Sequence, residues 1–392
     1  MRQTADVVIA GGGCMGCSLA WHLAQLGITN VVLLEREPQL GTGSTGKNAG
    51  GFRHQFSNSA NIELSIESIA LMSRFEEIVG TPIDFHQHGY LFLLSKSADV
   101  ETFKKNVALQ QTHGVDVRWV SADEARELSP GLDTSGVKGA TYCPSDGVTD
   151  PNGVTMGFAK GAQAKGVEIV RDCEVNGARL TGHRVTEVRT SKGDISTPIF
   201  VNAAGPWAKS IGRLLGVDVP VEPERRHIFI ASAPGGVSWD DPRHAGLVPK
   251  SKILVIDFET SFYFHREGGG LLFGMGDPNE QPGFDMTVRW DFLPKVIEVA
   301  MQRLPALADA AVSHAWAGLY EMTPDHNAII GPSSDVEGFY TIAGFSGHGF
   351  QHAPAAGRIL ADVIAGRDPK FDLSSFELDR FARKTVGEAN IV

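Results

Sequence analysis

The chain has 392 residues, of which 42% are hydrophobic and 21% are charged, a composition typical of globular proteins that excludes disordered, collagen-like and coiled-coil chains. The length predicts two domains, or one large doubly wound unit with an insertion. The net charge of −11 without a basic run argues against a nucleic-acid partner, and no apolar run approaches the ~20 residues of a membrane span.

The start of the chain has the pattern of a strand–helix–strand unit. Residues 6–10 form a short apolar run, as expected for a buried parallel strand. Over residues 14–26 the apolar spacing becomes helical, and Gly27 is a suitable stop for that helix. The apolar run 30–34 is a second buried strand. We therefore predict a complete βαβ unit here.

Glycine-rich segments punctuate the rest of the chain. A loop rich in glycine, serine and threonine spans 41–51, and a buried strand at 339–343 runs into a second glycine cluster at 344–349. Further helices are predicted at 61–79, 152–165, 291–304 and 353–365, with a capping box at 121–124. Further strands are predicted at 89–95, 117–120, 167–170, 185–190, 199–203, 226–231, 253–258, 262–265 and 270–274.

The order of these elements predicts two domains. Nucleotide-type βα signals occur at both ends of the chain, and strands typical of an antiparallel sheet lie between them. We therefore expect an α/β fold, α+β overall, with a discontinuous nucleotide domain formed by residues 1–85, 145–220 and 322–392. Residues 86–144 and 221–321 would form an inserted substrate domain on a mixed, largely antiparallel sheet.

The first turn carries a dinucleotide-binding fingerprint. Gly11, Gly13 and Gly16 follow a strand and open a helix, where they serve the tight turn, the close approach of a pyrophosphate and helix–strand packing. The helix N-terminus supplies N–H groups and partial positive charge to the phosphate. Glu35 ends the second strand, where an acidic residue holds ribose hydroxyls. We predict dinucleotide binding.

The fingerprint alone leaves FAD and a nicotinamide cofactor open. Its position favours FAD, because flavoproteins with a glutathione-reductase-like Rossmann domain begin with it and close the site with residues near the C-terminus. Loop 41–51 can wrap the diphosphate, and the helix after cluster 344–349 can direct its N-terminus at the flavin. That helix end would stabilise negative charge on a reduced flavin.

Four stretches resemble the D-amino-acid-oxidase-like family of FAD-dependent amine oxidoreductases over essentially the full chain: VIAGGGCMG at 8–16, GSTGKNAGGFRHQF at 43–56, NAAGPWA at 202–208, and residues 320–356. The chain looks most similar to the sarcosine oxidase β-subunit and proline dehydrogenase branch. It also resembles the FAD-dependent oxidoreductase-domain proteins, which include a mitochondrial complex I assembly factor. The tail at 371–376 and 388–392 resembles that same group.

The resemblance and the residue pattern give expected roles to five side chains. Arg53 matches an arginine that grips the substrate carboxylate, for which a guanidinium fork is well shaped; pairing with a local carboxylate or a FAD phosphate is the alternative. His348 is placed beside the flavin ring with a catalytic or polarity-tuning role, and a turn histidine bonded to the backbone is the alternative. Gln351 stands where monomeric sarcosine oxidases carry a lysine. Tyr263 alternates with buried-type aromatic residues and is expected to form a wall of the substrate pocket, as is Tyr320.

Residues expected in the family but missing here predict the cofactor state. No flavin-tethering cysteine stands near Gly318 and no tethering histidine near Asn48, so we expect non-covalent FAD. In the family, the histidine that carries a second flavin would stand near Pro151. This sequence has no histidine there, so we expect no covalent FMN. The lysine that activates dioxygen in sarcosine oxidases would stand near Leu272. Its absence here favours a dehydrogenase over an oxidase.

The expected FAD-binding residues come from all four stretches and their neighbours. They are Gly11, Gly13, Cys14, Met15, Gly16, Glu35, Arg36, Ser44, Thr45, Lys47, Asn48, Ala49, Gly50, Gly51, Val175, Ala204, Gly205, Trp207, Gly318, Gly344, Gly347, His348, Gly349, Phe350 and Gln351. The expected catalytic residues are Arg53, His348, Gln351 and Tyr263.

Other patterns are interpreted as structural. The pair Cys14 and Cys17 resembles a redox dithiol, but its place in the fingerprint loop favours packing. The pairs His86/His88 and His348/His352 lack further metal ligands nearby, so no metal is expected. Four cysteines are too few for a disulfide framework, and no signal peptide precedes the first strand. We therefore expect a cytoplasmic protein.

These observations favour an FAD-dependent enzyme. It would oxidise the C–N bond of a small secondary or N-methylated amino acid, similar to sarcosine, dimethylglycine or proline, by hydride transfer that leaves an imine to hydrolyse. An electron-acceptor protein or partner subunit is expected alongside the amine substrate. The alternatives are an oxidase that forms hydrogen peroxide and a non-catalytic FAD-binding assembly protein.

Overall fold

The computed structural model describes residues 1–383 and 387–391, so Val392 of the tail lies outside the described residues. The strands are β1 (Val7–Ala10), β2 (Val31–Leu34), β3 (Gly51–Phe52), β4 (Tyr90–Leu94), β5 (Arg118–Val120), β6 (Gly139–Cys143), β7 (Gly147–Val148), β8 (Glu168–Val170), β9 (Val175–Thr181), β10 (Arg184–Thr190), β11 (Gly193–Ser196), β12 (Phe200–Asn202), β13 (Glu222–Ser232), β14 (Leu254–Asp257), β15 (Phe262–Glu267), β16 (Gly270–Met275), β17 (Ala311–Met322), β18 (Ile329–Pro332) and β19 (Phe339–Ala343). The helices are α1 (Cys14–Gln25), α2 (Ser59–Met72), α3 (Phe75–Val79), α4 (Ser97–Thr112), α5 (Ala122–Leu128), α6 (Pro151–Ala164), α7 (Ala208–Arg213), α8 (Leu293–Arg303) and α9 (Gly349–Ile364).

A six-stranded sheet forms the nucleotide-binding part, in the order β18-β19-β12-β1-β2-β8. Its strands pair in parallel except for β18, which is antiparallel to β19. Strands β1 and β2 are buried along their whole length, because helices α1, α6 and α9 cover one face of the sheet and a second core, which includes residues of β10 and β11, covers the other. The predicted Rossmann-type βαβ unit is therefore confirmed.

An eight-stranded sheet forms the second layer, in the order β17-β13-β16-β15-β14-β4-β6-β5. Strands β14 and β4 pair in parallel, and the other neighbours pair antiparallel. This confirms the predicted mixed, largely antiparallel sheet. Along its longest ladder Arg226 pairs with Gly318, so residues of β13 and β17 present neighbouring side chains at the same level.

The helices of the structure differ from the predicted ones in several places. The helix predicted at 61–79 is two helices, α2 and α3, with Arg74 at the break in a non-helical conformation. Helix α9 begins at Gly349 rather than at 353, since its glycine and proline content concealed the first turn. Helix α4 was not predicted, because two of its four buried residues, Asn106 and Gln110, are polar.

Strand β17 is the main missed strand. It lies at the edge of the eight-stranded sheet, so its first half is largely exposed, whereas Ala317, Gly318 and Leu319 are buried in succession. Neither half shows the alternation by which a half-buried strand is recognised. The small antiparallel sheet β11-β10-β9 was predicted only through residues 185–190.

The sheets support the predicted division of the chain. The six-stranded sheet takes its strands from 1–85, 145–220 and 322–392, and the eight-stranded sheet takes its own from 86–144 and 221–321 apart from Met322. We therefore propose the same two domains. Among the described helices, none is both long and apolar enough to cross a membrane.

Candidate active site

A cavity of about 550 Å³ lies between the two sheets, within the size range of small-molecule sites. One side is formed where β1, β2 and β12 end, at Ala10, Leu34 and Ala203. The other side is formed by residues of β13, β14, β15 and β17. Ligands of open parallel sheets bind at the carboxyl ends of the strands, so this cavity occupies the expected position.

The fingerprint glycines are required by close backbone contacts. A Cβ on Gly11, whose φ is +116°, would lie 2.2 Å from the carbonyl oxygen of Ala203. A Cβ on Gly16 would lie 2.0 Å from the carbonyl oxygen of Gly11. Gly13 is the extended residue before α1, so the helix N-terminus opens into the cavity. This cradle fits a dinucleotide diphosphate.

The carboxylate of Glu35 is held at the end of β2 by two backbone N–H groups. Its Oε2 accepts from Gly12 at 2.8 Å, and its Oε1 accepts from Glu37 at 2.8 Å. The side chain lines the cavity in the orientation expected for ribose recognition. Beside it the Arg36 guanidinium lies 4.5 Å from the Trp207 ring centroid, and this pair forms a flat wall.

The structure brings most of the predicted residues to this cavity. Gly16, Gly50 and Gly344 lie behind the lining and not on it, so for these three the expected direct contact with FAD is not supported. They pack against the backbone of Gly11 and Thr149 and the side chain of Thr323. The predicted residues that line the cavity are Gly11, Gly13, Cys14, Met15, Glu35, Arg36, Ser44, Thr45, Lys47, Asn48, Ala49, Gly51, Arg53, Val175, Ala204, Gly205, Trp207, Tyr263, Gly318, Gly347, His348, Gly349, Phe350 and Gln351.

Sequence reasoning missed several lining residues. Leu319 and Glu321 were missed because strand β17 was not predicted, and Arg226 was placed in a strand without a direction for its side chain. Others reach the cavity only through the fold: Tyr90, Ile228, Leu254, Ile256 and Met286. Ser346 and Ile391 lie in the glycine cluster and the tail noted from the sequence, but neither was named as a site residue.

Arg53 is buried and its guanidinium is held from within the protein. Its Nη1 donates to the carbonyl of Gln55, and its Nη2 donates to the carbonyl of Asn390 at 2.6 Å. The guanidinium lies 4.0 Å from the Phe56 ring centroid. Burial lowers its pKa, but an arginine titrates so far above neutral pH that it stays charged. A guanidinium has five N–H donors. Because the two carbonyls do not use all of them, donors remain for a substrate carboxylate.

Three tyrosines, Tyr90, Tyr263 and Tyr320, line the cavity. Burial raises the pKa of each hydroxyl, so all three are protonated hydrogen-bond donors at neutral pH. On β15, Tyr263 faces the cavity while Phe262 and Phe264 pack in the core of the second sheet. The predicted alternation is therefore observed.

His348 is held by hydrogen bonds to protein groups through both ring nitrogens. Nε2 donates to the His326 carbonyl at 3.2 Å, which leaves Nδ1 to accept from Nδ1 of His352 at 3.2 Å. Burial, with a smaller effect from Arg53, lowers the pKa of His348 to about 3. The imidazole is therefore neutral. In place of the expected catalytic role, we propose that His348 orients His352 and the backbone at His326.

Gln351 supports the backbone of Arg53. Its Oε1 accepts from the Arg53 N–H at 2.8 Å, and its Nε2 lies 3.2 Å from both the Arg53 carbonyl and Nε2 of His352. The amide that replaces the lysine of monomeric sarcosine oxidases thus makes protein contacts. We interpret Gln351 as a positioning residue for Arg53.

Glu321 contributes a buried carboxyl to the cavity lining. Its Oε2 accepts from the Gly344 N–H at 3.0 Å. Burial raises its pKa to about 7, against the opposing effect of backbone hydrogen bonds from Gly344 and Phe345. Its charge also contributes to raising the pKa of Cys14, which lies in the first turn of α1.

The cysteine and histidine clusters remain structural. Cys14 and Cys17 are free and buried, and burial raises the pKa of Cys14 to about 11, opposite to what a reactive thiol requires. One group of potential metal ligands found in the described ranges is His54, Cys143 and Asp146. Asp146 already accepts from the backbone and ring of His54 at 2.7 Å, so we retain the prediction of no metal.

Comparisons with known proteins agree with this geometry. The family model described as "FAD dependent oxidoreductase" (DAO) matches residues 6–363. The chain is 33% identical to FAD-dependent oxidoreductase domain-containing protein 1 of Bos taurus, over 97% of this chain and 85% of that protein. It is 30% identical to mitochondrial sarcosine dehydrogenase of Homo sapiens, over 97% of this chain, and covers 42% of that longer protein.

A solved structure shows the same fold. The L-proline dehydrogenase from P. horikoshii superposes with a TM-score of 0.88 at 33% identity, covering 98% of this chain and 100% of that chain. The similarity thus spans both sheets and the cavity between them.

Proposed function

The chain belongs to the DAO family of FAD-dependent oxidoreductases, and on that premise we propose that it oxidises the C–N bond of a small secondary or N-methylated amino acid. Bound FAD supplies the hydride acceptor for the carbon next to nitrogen, and the imine so formed is hydrolysed by water. The observation that carries the proposal is Arg53, a buried and charged guanidinium on the cavity lining whose hydrogen bonds to two protein carbonyls leave donors free for a carboxylate.

The side chains around Arg53 suggest how the substrate is held. Donors of the Arg53 guanidinium left free by the protein would take the carboxylate. The hydroxyls of Tyr90, Tyr263 and Tyr320 would donate further hydrogen bonds, and Leu254 and Ile256 would exclude water from the reacting carbon. Sarcosine, dimethylglycine and proline combine one carboxylate with a small secondary or tertiary amine, which fits this arrangement.

We propose a dehydrogenase with non-covalent FAD. Gly318 and Asn48 stand near the positions at which the family's flavin-tethering cysteine and histidine would be expected. Both line the cavity, and neither has a side chain that can form a bond to flavin. Leu272, in place of an oxygen-activating lysine, is buried in β16, so electrons would pass to another acceptor or a partner subunit. The four cysteines are free, which supports the proposed cytoplasmic location.

Anaerobic bleaching of the flavin tests the function. The FAD-loaded protein is mixed without oxygen with sarcosine, dimethylglycine, proline, and D- and L-amino acids in turn, and the visible flavin band is followed. We expect rapid bleaching by one secondary or N-methylated amino acid and slow recolouring on admission of air. Rapid recolouring with hydrogen peroxide would identify an oxidase. A flavin that no amino acid bleaches would contradict the proposal and favour the non-catalytic assembly protein.

FAD affinity is expected to depend on pH through Glu321. Below its pKa of about 7 the carboxyl is neutral, whereas above it the carboxylate repels the diphosphate held at the start of α1. Because FAD binding is linked to one proton on Glu321, the affinity for FAD falls above neutral pH by no more than about tenfold per pH unit. Titration of the apoprotein with FAD at several pH values, followed by flavin fluorescence, measures this slope.

The matched variants for this test are Glu321→Gln and Glu298→Gln. Glu321→Gln is expected to remove the slope and to bind FAD more tightly than the unmodified protein at alkaline pH. Glu298 is exposed on α8, so its variant should keep the original slope. An unchanged slope in Glu321→Gln would show that another group is responsible.

A further inference from the structure

The segment 387–391 is fixed to the beginning of α2 by one buried carboxylate. Glu388 is 3% exposed, and its oxygens accept from the backbone N–H of Ser57 at 2.9 Å and from the Ser57 hydroxyl at 2.6 Å. They also accept from the side-chain amides of Asn58 at 3.0 Å and Asn61 at 3.1 Å. Such a set of charge-assisted hydrogen bonds holds the segment in one place.

Asn390 connects this segment to the Arg53 guanidinium. Its carbonyl accepts from Nη2 of Arg53 at 2.6 Å, and its own N–H donates to Glu388 at 2.9 Å. Its side-chain amide donates at 3.3 Å to the carbonyl of Gln55, which is the other acceptor of the guanidinium. Both carbonyls that orient Arg53 are therefore linked to Asn390.

Ile391 follows directly and lines the cavity. Because its neighbour contacts the guanidinium, Ile391 lies at the Arg53 end of the cavity. The aliphatic side chains of Leu254 and Ile256 from β14 line the same cavity. A carboxylate held by Arg53 would thus have its carbon chain bounded by aliphatic walls, one of which comes from a segment more than 330 residues away in sequence.

We propose that the segment 387–391 is part of the substrate site, with Asn390 as a positioning residue for Arg53 and Ile391 as the residue that limits the length of the substrate carbon chain. This rests on the proposed function, in which Arg53 binds the substrate carboxylate. The positioning matters because a small displacement of an anchoring group misplaces the reacting carbon. The limit matters because one methylene too many in a closed apolar pocket reduces affinity by about tenfold or more.

Binding of simple carboxylates tests the proposal without turnover. Acetate, propionate, butyrate and valerate are titrated into the FAD-loaded protein, and the visible flavin spectrum reports binding. We expect affinity to fall beyond a limiting chain length. Ile391→Ala should move that limit to longer chains by one to two methylenes, because it removes three carbons. The matched control is Ile78→Ala, an exposed isoleucine on α3, which should leave the limit unchanged.

Asn390→Ala keeps the main-chain carbonyl that accepts from Arg53 but removes the side-chain amide that holds the Gln55 carbonyl and accepts from Asn106, so it tests whether that side chain positions Arg53. We expect it to weaken every carboxylate by about tenfold without moving the length limit, and to leave the binding of propionamide unchanged, since an uncharged amide does not need the guanidinium. FAD content and melting temperature identify variants that fail to fold. If Asn390→Ala fails in this way, Ile391→Ala carries the test, because Ile391 is only partly buried.

The outcomes distinguish the two proposals. If no carboxylate binds, or if Arg53→Met binds them as well as the unmodified protein does, the carboxylate anchor is wrong and this inference falls with it. If Arg53 is required but Ile391→Ala leaves the length limit where it was, the anchor stands and the role of the segment 387–391 is wrong.

Discussion

Replacing Arg53 with methionine is expected to lower kcat/KM for the amino acid substrate by about 30- to 5000-fold. Truncating one partner of a buried charged pair costs about 2–5 kcal/mol, and each 1.4 kcal/mol is about tenfold in rate. Methionine retains much of the side-chain volume beside Phe56 but removes every donor. Steady-state kinetics with the substrate identified by flavin bleaching measure the loss.

The Arg53 prediction has two controls. Arg53→Lys keeps the charge but lacks the planar fork, so it should retain part of the activity. Arg118→Met removes an exposed arginine from β5 and should change kcat/KM by less than about twofold. Each variant must retain its FAD for the comparison to be valid.

Unchanged kinetics in Arg53→Met would point to Arg226 as the anchor. Arg226 also lines the cavity, with its guanidinium carbon 4.8 Å from the ring centroid of Tyr320. Its Nη1 donates to Glu224 at 2.7 Å, whereas its buried Nε has no hydrogen-bond partner among the described residues. Arg226→Met would then show the loss that Arg53→Met did not.

Gly16→Ala is expected to weaken FAD binding by more than a hundredfold. The new Cβ would lie 2.0 Å from the carbonyl oxygen of Gly11, and neither atom belongs to a flexible side chain that can move away. Relief requires α1 to shift from β1, which moves the helix N-terminus away from the diphosphate. Overpacking of a core costs about 1–3 kcal/mol or more, and about 3 kcal/mol corresponds to over a hundredfold in affinity.

The ratio of flavin to protein absorbance and the melting temperature with and without added FAD measure this loss. Gly283→Ala is the matched control, because the nearest atom to its added Cβ lies 4.0 Å away. If Gly16→Ala purifies with a full complement of FAD and melts like the control, the proposed close contact between helix and strand is not required.

The βαβ unit was predictable because its determinants are local. The runs around β1 and β2 are continuously apolar, since both faces of those strands are covered, and α1 begins and ends within a residue or so of the predicted limits. The fingerprint was predictable for a similar reason. Gly11 and Gly16 contact backbone atoms of the adjacent strand and of the same turn so closely that a side chain would not fit. Every turn of this type therefore needs glycine at these positions.

The eight-stranded sheet was predictable only in part. Strands β15 and β16 have clear apolar runs, and their antiparallel pairing was expected. The edge strand β17 carries no alternation, because its first half faces solvent and its second half passes directly into the cavity wall. Glu321 on this strand therefore had no predicted orientation, although Tyr320 was expected at the wall of the substrate pocket.

The resemblance to a known family predicted FAD and a carboxylate-binding role for Arg53, whereas the local residue pattern predicted the Rossmann-type unit and a dinucleotide site at the end of β1. The local pattern could do so because short-range spacing controls strand, turn and helix N-terminus. The tertiary structure alone shows how Arg53 is held, and it adds Tyr90 and Ile391 to a cavity for which Tyr263 and Tyr320 were predicted. Those contacts join residues hundreds of positions apart, and hydrogen bonds such as that from Arg53 to Asn390 follow from chain topology and not from any local pattern.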